Sequence, residues 1–276
     1  MKLREILKGI DYSISGCDNT EVTDIAYDSR KAGEGIAFVC LKGAFADGHK
    51  YAMSAWEKGS RIFVCSDEID VGEDSVIVKV SDTRAALAKM SCNFFRHPSR
   101  ELAVIGITGT KGKTTVAHIV KSVLEAGGMM TGIIGTVGAR FGDMVLPTVN
   151  TTPESREMQH YFATMVREHV THAVIEVSSQ ALEHNRVQGI DFDVCVFTNL
   201  GVDHIGEGEH SSLEEYRCAK RKLFTDYNCK LAVVNSDDEF SAFMTDGVSC
   251  PVVTFSMNVS FLTTTLSSAD LMSAPA

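Results

Sequence analysis

The sequence predicts an α/β protein with two parts, a small amino-terminal α/β domain (residues 1–100) and a P-loop central domain (residues 101–256). Short apolar runs alternate with helical patterns, which is typical of a mostly parallel sheet flanked by helices. One run, at 103–107, leads into a glycine-containing loop and then a helix. Polar residues follow several strands directly, where parallel sheets bind their ligands. The last residues, 257–276, form a Ser/Thr-rich tail that fits neither part.

The amino-terminal domain is predicted to contain short strands and two helices. EVTDIAYDSRK alternates and breaks at a polar turn, and GIAFVCLKG is a strand closed by Gly43. ADGHKYAMSAWEKGS has helical spacing and ends at Gly59. RIFVCS and SVIVKV are buried strands, and SDTRAALAKMSCNFF is a helix capped by Ser81 or Asp82. Pro98 breaks this helix, and we place the domain boundary there.

The stretch AVIGITGTKGKTT combines a strand, a glycine-containing turn and a helix start, an arrangement that binds polyphosphates. The strict pattern has a glycine where Ile107 stands, so the loop is a variant. Lys113 opposes the helix dipole, which favours a phosphate contact over a solvated side chain. Thr114 offers its hydroxyl to Mg²⁺, caps the helix, or does both. The predicted nucleotide-binding residues are Gly109, Thr110, Lys111, Gly112, Lys113, Thr114 and Thr115.

The same alternation continues after the loop. A helix at 116–126 is followed by the strand TGIIGTVG and by ARFGDMVLPTVN, a hairpin or excursion. Thr152 as N-cap and Pro153 as first helical residue begin a helix that runs to about His169. HAVIEVSS, FDVCVFTNL and KLAVVNSDD are strands, and SLEEYRCAKRKLF is an amphipathic helix.

Outside the loop, three residues are candidates for chemistry. Glu176 interrupts an apolar strand, where a buried carboxylate is costly unless it meets a metal, a cation or an internal salt-bridge partner. His204, beside Asp203 at a strand end, either approaches the same site or is structural. By helical spacing alone, Lys220 lies near the edge of an apolar face, which predicts a snorkelling lysine whose stem is covered and whose ammonium group stays in water.

Composition limits the function classes. The net charge of −10 disfavours non-specific binding to nucleic acid. No apolar run is long enough to span a membrane, and the amino terminus lacks the apolar core of a signal peptide. Eight cysteines without a CxxC pair indicate reduced thiols. We therefore expect a cytoplasmic protein that neither inserts into membranes nor binds nucleic acid.

Six segments occur in the order found in the Mur ligases of peptidoglycan synthesis: DSRKAGEGIAFVCLKGAFADGHKY, GITGTKGKTT, NTTPE, EVSSQALEHNRV, FTNLGVDH and EEYRCAKRKLF. The sequence resembles this family, and most closely its UDP-N-acetylmuramoyl-tripeptide synthetase branch. The resemblance implies an ATP-dependent ligase that adds the third amino acid to UDP-N-acetylmuramoyl-L-alanyl-D-glutamate through an acyl phosphate. It implies two substrates besides ATP, this UDP-linked dipeptide and an amino acid, and we expect a monomer.

The resemblance also assigns roles to individual residues. Lys220 matches a lysine that is carbamylated by carbon dioxide and becomes an anionic Mg²⁺ ligand. The implied metal-binding residues are Thr114, Glu176, His204 and Lys220; the implied catalytic residues are Lys113, Glu176, His204 and Lys220. The implied substrate-binding residues are Ser29, Asn150, Thr151, Thr152, Ser178, His184 and Arg186. At position 184 many members of the family carry glutamine.

The end of the chain departs from the family pattern. The residues after Phe255 do not align with the third domain that Mur ligases place over ATP, so we expect an incomplete chain with reduced or no turnover. One alternative is therefore a non-catalytic fragment that binds UDP-sugar or nucleotide. Another is a different member of the superfamily, such as a folylpolyglutamate synthetase or the ligase that adds the terminal dipeptide. The DSR turn and the NTTPE segment argue against the folate enzyme.

Overall fold

A computed structural model describes residues 1–43, 46–201, 206 and 210–257 of the chain. The elements of the amino-terminal part are α1 (Leu3–Ile6), β1 (Ser13–Ser15), β2 (Asp24–Ala26), β3 (Ile36–Val39), α2 (Ala52–Glu57), β4 (Ile62–Cys65), β5 (Val76–Lys79) and α3 (Thr83–Phe94). Short 3₁₀ turns lie at Ser29–Lys31, Gly48–Tyr51 and Pro98–Glu101.

The remaining elements belong to the second part of the chain. They are β6 (Ala103–Thr108), α4 (Lys113–Ala126), β7 (Thr131–Gly135), β8 (Gly138–Phe141), β9 (Met144–Leu146), α5 (Ser155–Arg167), β10 (His172–Glu176), α6 (Ser179–Glu183), β11 (Val194–Phe197), α7 (Leu213–Thr225), β12 (Ala232–Asn235), α8 (Ser241–Thr245) and β13 (Val252–Phe255).

The strands form two sheets. The first has the order β1-β5-β4-β3-β2, in which β1 is antiparallel to β5 and the other pairs are parallel. The second has the order β13-β12-β11-β6-β10-β7-β8-β9 and is parallel except for β8 and β9. Strand β6 lies between β10 and β11, so the carboxyl ends of these three strands meet at one edge. The predicted α/β class with a mostly parallel central sheet is confirmed.

Helices cover both faces of the second sheet. On one face α5 and α7 bury Phe162, Tyr216 and Leu223 against the strands. On the other face α4 packs Ala117 against Ile107 and neighbouring strand residues. Ile107 is fully buried and lies inside β6, so the position that carries glycine in the strict loop pattern belongs here to the hydrophobic core.

Several predicted element boundaries change. The loop helix begins at Lys113, three residues before the predicted start, and ARFGDMVLPTVN forms the β8–β9 hairpin. The prediction that Thr152 caps the next helix is wrong, because α5 begins at Ser155 with Glu154 as N-cap. The Thr152 hydroxyl instead donates to the carbonyl of Glu176 (2.8 Å) and accepts from the amide of Ser178 (3.0 Å). It therefore joins the NTTPE segment to the end of β10.

The first turn of α5 contacts the amino-terminal part of the chain through polar pairs. Tyr27 donates its hydroxyl to Glu157 (2.8 Å), and Arg156 pairs with Asp24 (2.6 Å). Burial, followed by the charge of Glu157, raises the pKa of Tyr27 far above its ordinary value, so its hydroxyl stays a proton donor. These contacts fix the start of α5 against the first sheet.

Among the described residues, no helix combines the length and the apolar character needed to cross a bilayer.

Candidate active site

The loop between β6 and α4 is held by the end of β11. The amides of Thr110 and Lys111 donate to the carbonyl and the side-chain oxygen of Asn199, at 2.8 and 2.9 Å. Gly109 has φ +150°, and a Cβ there would lie 2.0 Å from the hydroxyl oxygen of Thr198. Only glycine fits so close to β11. These contacts fix the conformation of the loop without a ligand. Two of its amides donate to Asn199 in this conformation.

Two lysines converge on one carbonyl oxygen of this loop. The Lys113 ammonium donates to the carbonyls of Gly109 (2.7 Å) and Thr110 (3.1 Å). Lys220, on α7, donates to the same Gly109 carbonyl (3.0 Å) and lies 4.3 Å from the ring centre of Tyr216. Lys220 is 1 % exposed and its ammonium group is buried against the loop, so the prediction of a snorkelling lysine from spacing alone is wrong.

The carboxylate of Glu176 is fully buried at the end of β10. It accepts hydrogen bonds from the hydroxyl of Thr114 (2.8 Å) and from the amide and hydroxyl of Thr136 (3.1 and 3.2 Å). Within the part of the chain that the structure describes, these contacts replace the internal salt bridge considered from the sequence. A Cβ at Gly135 would lie 2.0 Å from the carboxylate, so the strand beside it must carry glycine.

A cavity of about 300 Å³ opens beside the loop. Five residues predicted from sequence line it together with Lys113: Asn150, Thr151, Ser178, Arg186 and Lys220. Ser179 and Gln180 also line it and were not predicted. Glu176 and Thr152 do not line this cavity, and their side chains are buried. Glu176 contacts Thr114, and Thr152 contacts Ser178.

Arg186 is held by a carboxylate that was not predicted as a site residue. Its Nε donates to Glu154 (2.9 Å) and one terminal nitrogen donates to the carbonyl of Thr152 (3.3 Å). Arg84, from α3, donates to both oxygens of Glu154 (3.3 and 3.2 Å). Glu154 therefore forms an ion pair with one arginine from each part of the chain.

Ser29 lies in a different cavity, of about 490 Å³. Asp28, Arg30, Tyr51, Arg84 and Glu154 contribute to its lining. The structure thus separates Ser29 from the Lys113 cavity and places Glu154 and Arg84 at the boundary between them.

His184 lines neither cavity. Burial lowers the pKa of its imidazole, and the charges of Arg84 and Arg186 lower it further. The side chain is therefore neutral at pH 7. His204, with Asp203, lies outside the described residues.

The predicted loop residues lie between β6 and the first turn of α4. Gly112 has φ +84° and is the N-cap of α4, and Lys113, Thr114 and Thr115 form the first helical turn. Thr136 and Asn199, which were missed, could have been found by the rule that ligands bind where polar residues follow the strands of a parallel sheet, because Thr136 follows β7 and Asn199 follows β11. Glu154 and Arg84 carry no local signal, since they are 70 residues apart in sequence.

Comparison with known families identifies both parts of the chain. Residues 21–95 match the description "Mur ligase family, catalytic domain", and residues 107–270 match "Mur ligase middle domain". The chain belongs to the Mur ligase family. This confirms the resemblance inferred from the six segments.

Curated Mur ligases resemble the chain over most of its length. A UDP-N-acetylmuramoyl-L-alanyl-D-glutamate--2,6-diaminopimelate ligase of Clostridium perfringens is 45 % identical over 263 residues, covering 93 % of this chain and 54 % of that protein. The ligase of the same name from Caldanaerobacter subterraneus is 41 % identical, covering 92 % and 52 %. The chain spans about half the length of these relatives.

Solved Mur ligase structures also superpose on most of this chain. A structure of a UDP-N-acetylmuramoyl-L-alanyl-D-glutamate--2,6-diaminopimelate ligase superposes with a TM-score of 0.79 at 25 % identity, over 94 % of this chain and 53 % of that one. MurF from Acinetobacter baumannii superposes with a TM-score of 0.66 at 22 % identity, over 92 % and 53 %, and shares the fold.

Proposed function

We propose that this chain forms the UDP-substrate and nucleotide sites of an ATP-dependent ligase that joins 2,6-diaminopimelate to UDP-N-acetylmuramoyl-L-alanyl-D-glutamate. The names of relatives 41–45 % identical to the chain support the choice of substrates. Each part of the chain binds a different portion of the substrates. Residues 1–100 hold the uridine nucleotide with Ser29 as a contact, and residues 101–256 hold ATP and the peptide end.

The observation that carries the proposal is the convergence of Lys113, Lys220 and Glu176 around one loop at the carboxyl edge of β6, β10 and β11. That edge is where parallel sheets bind ligands, and a helix start with a loop lysine suits a polyphosphate. Lys113 can leave the Gly109 carbonyl for the outer phosphates. Arg186, with Asn150, Thr151, Thr152 and Ser178, then holds the acidic peptide end of the second substrate.

The donor atoms around Glu176 fit magnesium. Hard oxygen ligands, a carboxylate and a hydroxyl, lie 2.8 Å apart in Glu176 and Thr114, and oxygen donors are those that Mg²⁺ prefers. Thr114, Glu176, His204 and a carbamate on Lys220 would hold the ion. Bound there, magnesium neutralises charge on the phosphates of ATP.

In the proposed reaction, the side chains of the cavity orient the γ-carboxylate of D-glutamate toward the terminal phosphate. Attack forms an acyl phosphate and releases ADP, and the amino group of diaminopimelate then displaces phosphate to form the amide. Lys113 stabilises charge on the transferring group. Burial of Lys220 supports its conversion to a carbamate, which changes a cation into an anion beside the loop.

Isothermal titration calorimetry on the chain, with Mg-ATP and with UDP-N-acetylmuramoyl-L-alanyl-D-glutamate, tests the proposal. We expect both ligands to bind, and Lys113→Met to weaken Mg-ATP binding about tenfold or more, equivalent to about 1.4 kcal/mol. Lys121→Met is the matched control, because Lys121 lies on the same helix and pairs only with Glu125 among the contacts seen. Absence of binding of both ligands to the unaltered chain would refute the proposal.

A phosphate-release assay with diaminopimelate then asks whether the chain turns over. Release that depends on all three substrates supports a ligase. Binding of both ligands without release supports the alternative of a binding fragment.

A further inference from the structure

We propose that Glu154 is a positioning residue that holds Arg84 and Arg186 at the adjoining edges of the two cavities, so that one ligand with two anionic ends spans both. The inference rests on the proposed function, because it explains how the UDP-linked dipeptide is placed. It concerns a residue that the predicted site did not include.

The geometry begins with a single shared carboxylate. One oxygen of Glu154 accepts from Arg186 Nε at 2.9 Å, and Arg84 donates to both oxygens, at 3.3 and 3.2 Å. The side chains of Arg84, Glu154 and Arg186 are only 17, 11 and 10 % exposed. Charge-assisted hydrogen bonds between such shielded groups are strong and directional.

Each arginine belongs to a different cavity. Arg186 lines the cavity of Lys113 and Lys220, and Arg84 lines the cavity of Ser29. Glu154 itself lines the second cavity and is the N-cap residue of α5. Its backbone is therefore fixed by a helix of 13 residues, which makes it a firm anchor for two long side chains.

Positive charges outnumber negative charges in the cluster of Arg84, Glu154 and Arg186. Two guanidinium groups share one carboxylate, and His184 beside them is neutral at pH 7 because burial and the two arginines lower its pKa. The nearby carboxylate of Glu183 pairs with Lys222 (2.8 Å). The cluster of Arg84, Glu154 and Arg186 by itself carries one net positive charge, which suits a ligand with anionic groups on both sides.

Removing the carboxylate charge should release both arginines. In Glu154→Gln, the two guanidinium groups lose the negative charge between them, and one of the two acceptor oxygens is replaced by an amide NH2 that cannot accept. We expect the dissociation constant for the UDP-linked dipeptide to rise about tenfold or more, since breaking a buried charge pair is costly. Mg-ATP affinity should stay within about twofold, because Glu154 does not contact the loop.

Calorimetry of four variants separates positioning from a general structural effect. Glu183→Gln is the matched control, because this carboxylate also acts on His184 but lines neither cavity, and it should leave both affinities unchanged. If Glu154 acts through Arg186, the effect of Glu154→Gln should shrink in an Arg186→Met background. An undiminished effect in that background, or unchanged UDP-substrate affinity in Glu154→Gln, would overturn the inference.

NMR gives a second readout that needs no ligand. A hydrogen-bonded Arg186 Nε–H should exchange slowly with water and should be lost from the spectrum in Glu154→Ala, which has no side-chain acceptor, whereas the Nε–H of Arg61, bound to Asp74, should persist. A persisting Arg186 signal contradicts the positioning role. If the unaltered chain binds no UDP substrate, the proposed function fails, and this signal still decides whether Glu154 holds Arg186.

Discussion

Gly135→Ala gives the sharpest test of how the buried carboxylate is placed. The added Cβ would lie 2.0 Å from Glu176 Oε1 and 2.6 Å from its Cδ, whereas ordinary contacts begin at 3.4 Å. The carboxylate must therefore move by about 1.4 Å, the difference between these distances. A shift of that size breaks the 2.8 Å bond from Thr114 and weakens both bonds from Thr136.

The expected cost follows from the bonds that are lost. A hydrogen bond to a charged group contributes about 1.5–3 kcal/mol, and overpacking adds to this, so the free energy of unfolding should fall by roughly 2–4 kcal/mol. For a chain of this size, the melting temperature should fall by about 5–15 °C. Because Glu176 belongs to the proposed metal site, affinity for Mg-ATP should also fall about tenfold or more.

Differential scanning calorimetry and titration with Mg-ATP measure the two effects. Gly132→Ala is the matched control on the same strand, since its Cβ would press on the flexible end of Met165, 2.6 Å from Cε. It should lower stability but leave Mg-ATP affinity nearly unchanged. If Gly135→Ala bound Mg-ATP as tightly as the unaltered chain, the position of Glu176 would not matter for the ion and our reasoning would be wrong.

Three further predictions concern protonation, capping and thiol reactivity. Because burial and the two arginines lower the pKa of His184 in the fold below its ordinary value of 6.5, the unfolded chain binds protons more readily, and stability should fall as the pH falls through that value. His184→Gln should remove this part of the dependence, measured by urea unfolding at about pH 7.5 and 5.5; an unchanged difference between the two pH values contradicts it. Asp82 accepts hydrogen bonds from two amides at the start of α3, so Asp82→Ala should cost about 1 kcal/mol in urea unfolding, and Ser81→Ala should cost much less. Burial raises the pKa of Cys40 to about 12, whereas a hydrogen bond from Cys195 lowers the pKa of Cys229 to about 7. At pH 8 a maleimide should therefore label Cys229 well before Cys40, as measured by peptide mass spectrometry, and equal rates would refute this order.

The sequence predicted the fold class well because its signals were local. The alternation of apolar runs and helical patterns located most strands, and the interruption of an apolar strand by Glu176 marked the end of β10. The four-residue α1 and three-residue β1 are too short to show a period, and neither was predicted.

The errors arose where a side chain is used by a distant part of the chain. Thr152 has the type and spacing of a helix cap, but its hydroxyl bonds to the end of β10, and α5 starts later. By helical spacing, Lys220 lies near the edge of the apolar face of α7. It is buried because α7 packs against the loop. The pairing of Glu154 with Arg84 depends wholly on tertiary structure, so no local pattern could reveal it.

The shared carbonyl of Gly109 has a thermodynamic consequence. Because the amines of Lys113 and Lys220 meet at one oxygen, the charge on either affects how tightly the other is held there. If ATP draws Lys113 away, it changes the electrostatic environment in which the proposed carbamate forms. Suppose that nucleotide binding changes the affinity of Lys220 for carbon dioxide by some factor. By thermodynamic linkage, carbon dioxide then changes the affinity of the chain for nucleotide by the same factor. If the proposed carbamate forms, nucleotide and carbon dioxide are therefore mutual effectors.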